Sequence, residues 1–511
     1  MPHIYSVFQC AELNSAFNSL KGRLWYFRGM LTRKGGTMPS RMYTIETRIP
    51  NNTELVEYLN LYVTEYSAVT REVWHDLTSS SFTIQFPKMN EYISYICHKH
   101  RLLKRTVNSI RFDVQGRMKS LMEQKKTELR QTEIKIRVKE KKIIGIKEKL
   151  DALKLKAVMN NITENELEKY HRLKTNLYWQ KNKLNNLRQR KKKLEYQIEN
   201  KVYSMCYGSK EMFQKQYHLS ENGFKTHEKW HNCFVKKRDK NIVYLGSSDE
   251  SYGNQLCRLK YNTETGLFSI ELRKENKYCQ GEKSCDKYIC LSGLDFKYMK
   301  TELITIIKSY DRYTTRKGDC PLTFRFHRDG NRWYLQVIFE QRFENHRTES
   351  KYGTIGLDYN VGFIELSETD RSGNMIYQRR YDQNYHGTGN RAENEIRNIV
   401  ADIVKYAESR CKDIIIENLN FQRVKAKQSS AFREKGRRYN RMLHQFDYKR
   451  YKQTLLNIGF NHRVNVVMVD PKNTSKIGKQ KYCNSRKLNI HQAASYVIAR
   501  RGQGYIDKLV I

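Results

Sequence analysis

The sequence predicts an α+β multidomain chain: a small β-barrel domain interrupted by a long α-helical insertion, followed by an α/β domain. Three observations predict it. Apolar residues recur every three or four positions over 116–205, which is the period of helices. The period shortens to two within 206–345, which is the period of half-buried strands. From 354 onward the pattern runs β-β-β-α-β-α-β-α, with an acid inside the first of these strands and another at the end of the fourth.

Composition narrows the class of partner. The 511 residues carry 95 Lys+Arg against 54 Asp+Glu, a formal charge of +41. A folded body with that excess repels itself unless a polyanion neutralises it, so nucleic acid is the expected partner. Hydrophobic content of 39%, with 35 Tyr and 20 Phe, is too high for a disordered basic tail. No apolar run is long enough to span a bilayer, so no membrane partner is expected. The start, Met1-Pro2-His3-Ile4-Tyr5, lacks the order of a signal peptide, and eleven Cys are too sparse for a disulfide framework. A cytoplasmic, nucleoid-associated location is the expectation.

Residues 1–40 form an extension of low pattern content. The segment 41–50, with Met42 to Ile49 alternating and Pro50-Asn51-Asn52 closing it, predicts the first strand of the barrel. Residues 51–205 predict the helical insertion. Leu55, Tyr58, Leu59, Tyr62, Val63 and Tyr66 lie at helical spacing in a region expected to reach about Thr106. Residues 116–205 then predict a long antiparallel hairpin, broken at Asn160-Asn161 and restarted by a Thr163…Glu166 capping box. Arg188, Arg190, Lys191, Lys192 and Lys193 crowd its outer faces, either as a solvated coiled-coil surface or as a wall facing phosphates. In 206–345 two hairpins are expected, 254–273 around Gly266 and 322–339 around Asp329-Gly330-Asn331, together giving the barrel.

The carboxyl-terminal domain, 350–511, carries the chemistry. Three antiparallel strands are expected from Thr354, Gly362 and Asn374, then a helix near 391–410, the strand Asp413 to Ile416 ending on Glu417, a helix near 438–458, the strand Val464 to Asp470, and a last helix Ile490 to Arg501. This is the order of the ribonuclease H fold. Asp358 and Glu417 can converge there on Mg²⁺, a hard cation that takes oxygen ligands, for hydrolysis of a phosphodiester. The bland alternative is that either acid pairs with an Arg or caps a turn.

Gly356-Leu357-Asp358-Tyr359-Asn360, Ile414 to Phe421, Asp470-Pro471-Lys472-Asn473-Thr474-Ser475 and His491 to Gly502 together resemble the split RuvC-type nuclease of TnpB proteins and of their relatives, the compact type V CRISPR effectors. The resemblance covers roughly 350–505 and is looser upstream, where it rests on Trp230, Tyr244-Leu245-Gly246-Ser247 and Gly253-Asn254-Gln255. It implies a wedge β-barrel, an inserted helical recognition lobe and a ribonuclease H-like (RuvC) domain. It also implies a guide RNA in a basic channel and complementary double-stranded DNA as target.

Two departures stand out. Only Cys483 lies where many members carry two Cys-x-x-Cys pairs, so the likeness is to the branch without a zinc ribbon; the separate cluster Cys279, Cys285, Cys290 has no knuckle spacing. The family's usual third acidic position, two residues before His491, holds Asn489. Three consequences are open: His491 ligates or orients a ligand, Asp470 or Asp507 substitutes, or the protein binds DNA without cutting it. Finally, 422–450 interleaves basic and aromatic residues, including Arg433, Arg437, Arg438 and Tyr439, and Lys476, Lys479, Arg500 and Arg501 continue this character near the acids. Basic groups would follow phosphates while aromatic faces stack on bases. The expected function is RNA-guided DNA cleavage by a Mg²⁺-dependent site, with guided repression without cleavage as the alternative.

Overall fold

The computed structural model describes residues 40–509, apart from 80, 160, 249, 280–286, 312–319, 344, 361, 385–388 and 420–447. The chain divides into two compact units, 1–129 with 191–342 and 130–190 with 343–511.

In the first unit, β1 (Ser40–Arg48) pairs antiparallel with a strand some 300 residues later in sequence, Ser40 opposite Arg342 and Arg48 opposite Tyr334. Pro50 ends β1, and Thr53 starts α1 (Glu54–Thr78) by accepting from the Val56 amide. The stripe expected from spacing, Leu55 to Tyr66, is buried. The helical region beyond is not continuous. Ser79 takes up extended backbone after α1, Pro87 precedes α2 (Met89–His100), and Arg101 ends α2 in the left-handed region.

The first arm of the hairpin, α3 (Lys104–Val158), begins twelve residues before the position expected from sequence. The reason is a tertiary cap: the buried Glu275 carboxylate accepts from the Leu103 amide and the Thr106 hydroxyl, both at 2.6 Å, and from Tyr62 at 3.2 Å. The return arm is α4 (Glu164–Glu199). Its capping box is formed, Glu166 N bonding the Thr163 hydroxyl and Thr163 N the Glu166 carboxylate. Within 130–190 the two arms meet along Ile136, Ile143 and Leu184, flanked by Leu177 and Leu187.

A helix, α5 (His227–Arg238), leads into β2 (Asn241–Tyr244), β3 (Cys257–Tyr261), β4 (Phe268–Arg273), β5 (Tyr288–Leu294), α6 (Lys300–Asp311), β6 (Thr323–Asp329) and β7 (Arg332–Arg342). The two expected hairpins form, β3 with β4 and β6 with β7, but in different sheets, β3-β4-β5 and β1-β7-β6-β2. No closed barrel is found among the described residues. The core of this unit sets Phe324, Phe326, Leu335, Val337 and Phe339 together with the α1 tyrosines.

The second unit contains β8 (Thr354–Asn360), β9 (Phe363–Thr369), β10 (Met375–Asp382), α7 (Asn390–Arg410), β11 (Asp413–Glu417), α8 (Tyr448–Asn461), β12 (Val466–Val469), the short helix α9 (Thr474–Gly478) and α10 (Ile490–Gly502). Strand order is β10-β9-β8-β11-β12, with β8, β9 and β10 antiparallel neighbours and β11 parallel to both β8 and β12. That is the ribonuclease H arrangement the element order predicted. Alternation along β8 assigns its two faces. Ile355, Leu357 and Tyr359 share a core with the α7 stripe Ile396, Val400, Ile403 and with Tyr451 and Leu455 of α8. Thr354 and Gly356 face α10: Thr354 bonds the Ala499 carbonyl, and a side chain at 356 would strike the backbone of Ser495 and Ala499. The glycine is therefore required by close approach of helix and strand.

Candidate active site

Asp358 continues the α10 face of β8 one step beyond Gly356. It is 9% exposed and its Oδ2 has two partners, Asn360 Nδ2 at 2.8 Å and His491 Nδ1 at 3.1 Å. The imidazole sits at the start of α10, edge-on to the Phe363 ring. Its bond to Asp358 pushes the His491 pKa up, so the protonated ring is favoured beside the carboxylate.

Glu417 closes β11. Ile416 pairs with Leu357 across the parallel ladder, so the next position sets Glu417 beside Asp358 on the same face. Its Oε1 accepts from the Thr474 hydroxyl of α9 at 2.6 Å. Burial is the main reason its carboxyl is pushed up to about 7; the Thr474 bond lowers it, while the neighbouring Asp358 and Asp470 charges raise it and Arg501 lowers it. Arg501 itself donates to the carbonyls of Asp470 and Lys472, bracing the loop that delivers Thr474.

Asn489 is engaged otherwise. Its Oδ1 accepts from the amides of His491 at 3.0 Å and Gln492 at 2.8 Å, and the Gln492 side chain returns a bond to the Asn489 amide. Position 489 is thus the N-cap of α10 in a full capping box. Of the two substitute acids, Asp507 is spent on Arg500 and Tyr482, whereas Asp470 forms a local turn with the Lys472 amide. Arg500 is likewise committed to the fold, bonding Asp507 at 2.9 Å and the Gly373 carbonyl at 2.8 Å while stacking on Tyr505.

This chain is similar to solved RuvC and Cas12 structures. RuvC of T. thermophilus in complex with a Holliday junction substrate matches at 13% identity, over 30% of this chain and 92% of that one, with a TM-score of 0.21. A Cas12f1–sgRNA–target DNA complex matches at 10% identity over 90% and 99%, with a TM-score of 0.25. A Cas12i–crRNA–dsDNA complex matches at 9% identity over 76% and 60%, with a TM-score of 0.26. No family model and no curated protein matches the chain.

Among the described residues, no group of three or more His, Cys, Asp or Glu gathers at the spacing of a metal cage. The donor chemistry nonetheless fits a hard cation. Asp358 and Glu417 stand side by side, and Glu365 lies directly opposite Asp358 on β9 with neither of its oxygens hydrogen-bonded. Glu365 has Arg380 at 3.6 Å as an ion partner, and Asp358 and Glu417 are left as neighbouring oxygen donors of the kind a hard cation takes. Asn360 and Thr474 stand in the sequence only as members of the motifs around Asp358 and Asp470, with no role expected of them, and Glu365 is not among the expected site residues. The signal for Glu365 is present, since an acid recurs there inside the apolar run Phe363 to Leu366.

Of the basic residues expected to meet nucleic acid, Lys192, Lys193, Lys476 and Lys479 are exposed. Arg188 is exposed but pairs with Glu140 at 2.8 Å, Arg190 is exposed and also has a partner, and Lys191 pairs with Glu195. Arg433, Arg437, Arg438 and Tyr439 lie outside the described residues. No helix among the described residues is long and apolar enough to cross a membrane.

Proposed function

We propose that this chain is an RNA-guided DNA endonuclease of the TnpB and compact type V class, hydrolysing the DNA backbone at a Mg²⁺ site held by Asp358 and Glu417. The observation that carries the reading is the placement of these two acids on neighbouring parallel strands, facing the same helix, in a ribonuclease H sheet. A bound divalent cation would supply the positive charge that favours water attack on phosphorus and departure of the leaving oxygen. The chain's own groups prepare the acids. Asn360 and His491 fix Asp358 Oδ2, leaving Oδ1 for a cation, and Thr474 fixes one oxygen of Glu417. Lys476 and Lys479, exposed on and just after α9, supply charge for the phosphates of an incoming strand. The +41 charge supports a guide RNA and a DNA target as partners.

A second reading, guided DNA binding without cleavage, is favoured by Asn489, which caps a helix and brings no carboxylate. One experiment separates the two. The purified chain is sequenced for copurifying RNA, then incubated with Mg²⁺ and plasmid carrying the complementary sequence. The nuclease reading expects nicked or linear product that EDTA prevents. Retention of the plasmid uncut would establish the binding reading, and absence of any discrete RNA would remove both.

A further inference from the structure

The return arm of the hairpin, α4, carries two large rings that the packing of the arms does not use. Its inner stripe, Leu177, Leu184 and Leu187, meets Ile136 and Ile143 of α3. Tyr178 and Trp179 stand beside that stripe and point outward, 61% and 56% exposed, their ring centroids 5.6 Å apart in an edge-to-face pair. A tryptophan stabilises a coiled coil by being buried, and more than half of this one stays in water.

The surroundings of the pair are cationic. Between Glu168 and Glu195, α4 carries no Asp or Glu, while Lys and Arg recur from Lys169 to Lys193. Helical spacing sets Lys174, Lys181 and Lys183 one turn from the rings. All three are exposed, and none makes an ion pair among the described residues, unlike Arg188 and Lys191 farther along. Burial, and after it the charge of Lys183, push the Lys142 ammonium of α3 down, so like charges crowd here. Tyr178, Lys181, Asn185 and Arg188 follow one another along one stripe of α4. The last three edge an open groove of about 570 Å³ floored by Ile143 and Leu184, with Lys147 of α3 also on its rim.

This combination selects its occupant. An acid-free run of lysines attracts a polyanion, but phosphate contacts alone have no use for exposed rings. Rings beside phosphate-binding groups suit unpaired bases, whose faces stack on them and which a duplex hides. An apolar protein segment is disfavoured, because it would strip water from the lysines without neutralising them. RNA fits better than DNA, since a folded RNA always presents unpaired loops, bulges and ends, whereas a DNA duplex presents none until opened. We propose that Tyr178 and Trp179 form a stacking platform for unpaired bases of an RNA whose phosphates lie on Lys174, Lys181 and Lys183. The groove beside Lys181 continues the path of that strand. The inference rests on the RNA partner proposed above and gives that partner a place on the chain.

The test has two arms. In the first, labelled oligo(rA) and a blunt RNA duplex are titrated into the full chain after copurified nucleic acid is removed in high salt, with melting as the control for folding. Trp179→Ala is expected to weaken oligo(rA) binding about tenfold, and Trp179→Phe to keep most of it. Duplex affinity and the salt slope for oligo(rA) should stay parental in Trp179→Ala, because no charge is removed. Lys181→Ala and Lys183→Ala should each flatten that slope by about 0.7. Parental oligo(rA) affinity in Trp179→Ala overturns the platform. Equal loss for oligo(rA) and duplex, or a lower melting temperature with no selective loss, also overturns it and leaves the ring a part of the hairpin's fold. Because oligo(rA) is supplied, this arm reads the platform even if no discrete RNA copurifies, so the two failures are distinct. In the second arm the chain as purified is irradiated in the ultraviolet and digested with trypsin. The peptide Thr175 to Lys181 is expected to carry a ribonucleotide adduct. A deoxyribonucleotide adduct there would overturn RNA as the occupant and assign the face to single-stranded DNA.

Discussion

At the scale of single residues, position 489 does mechanical work that its place in the sequence disguises. Its side chain closes the amino end of α10, the helix that sets His491 against Asp358. Asn489→Ala should therefore lower stability by about 1 kcal/mol, read as a lower melting temperature. Asn489→Asp should melt like the parent, because aspartate caps equally well and a helix amino terminus favours its charge. The sequence marks the residue as a departure from the acid that the TnpB resemblance implies, and the spacing Asn489…Gln492 equally marks it as a helix cap. Glu417 yields a pH dependence. Its folded carboxyl titrates near 7 against an ordinary 4.5, chiefly through burial. The protonated form is the better tolerated one in the fold, so its contribution to stability is fully present below pH 4.5 and is lost as pH rises through 7. In chelator, Glu417→Gln should accordingly melt above the parent at pH 8 and with it at pH 4.

Elements place these residues through packing that local pattern only partly announces. The strands β8, β9 and β11 were legible because their alternation and apolar runs are strong, and their order gave the sheet. The early start of α3 was not, since the carboxylate that caps it belongs to Glu275, about 170 residues away. Nor did the sequence distinguish which expected strands share a sheet, because hairpin pairing is local and sheet closure is not. A buried ion pair illustrates the same limit. Lys412, just before β11, donates at 2.6 Å to both the Glu368 carboxylate and the Thr369 carbonyl of β9, and both charged residues are under 8% exposed. Tyr406 of α7 also donates to Glu368, tying helix to sheet. Lys412→Met leaves that carboxylate short of charge in the interior, and urea titration should show a loss of about 3 kcal/mol.

Over the whole molecule the dominant quantity is charge, and it was read in full from the sequence. If phosphates neutralise it, affinity for duplex must fall linearly with salt on logarithmic axes, with a slope of about −0.9 for each phosphate contacted. Replacing the exposed Lys192 and Lys193 together by Ala should flatten that slope by about two units if both meet phosphate, and leave it unchanged if they are solvated ornaments of a coiled coil. The distinction was open in the sequence because charge runs look alike in both cases. Arg500 shows how a basic residue expected from the sequence to meet nucleic acid can be engaged within the fold, bonded to Asp507 and to the Gly373 carbonyl.

The measurement that bears most directly on the central claim is guide-dependent cleavage by Asp358→Ala. Prepared with its copurified RNA and given matched plasmid and Mg²⁺, this variant is expected to bind RNA as the parent does and to leave the plasmid intact. Cleavage at the parental rate would contradict the assignment of Asp358 and Glu417 as the acids of a nuclease site.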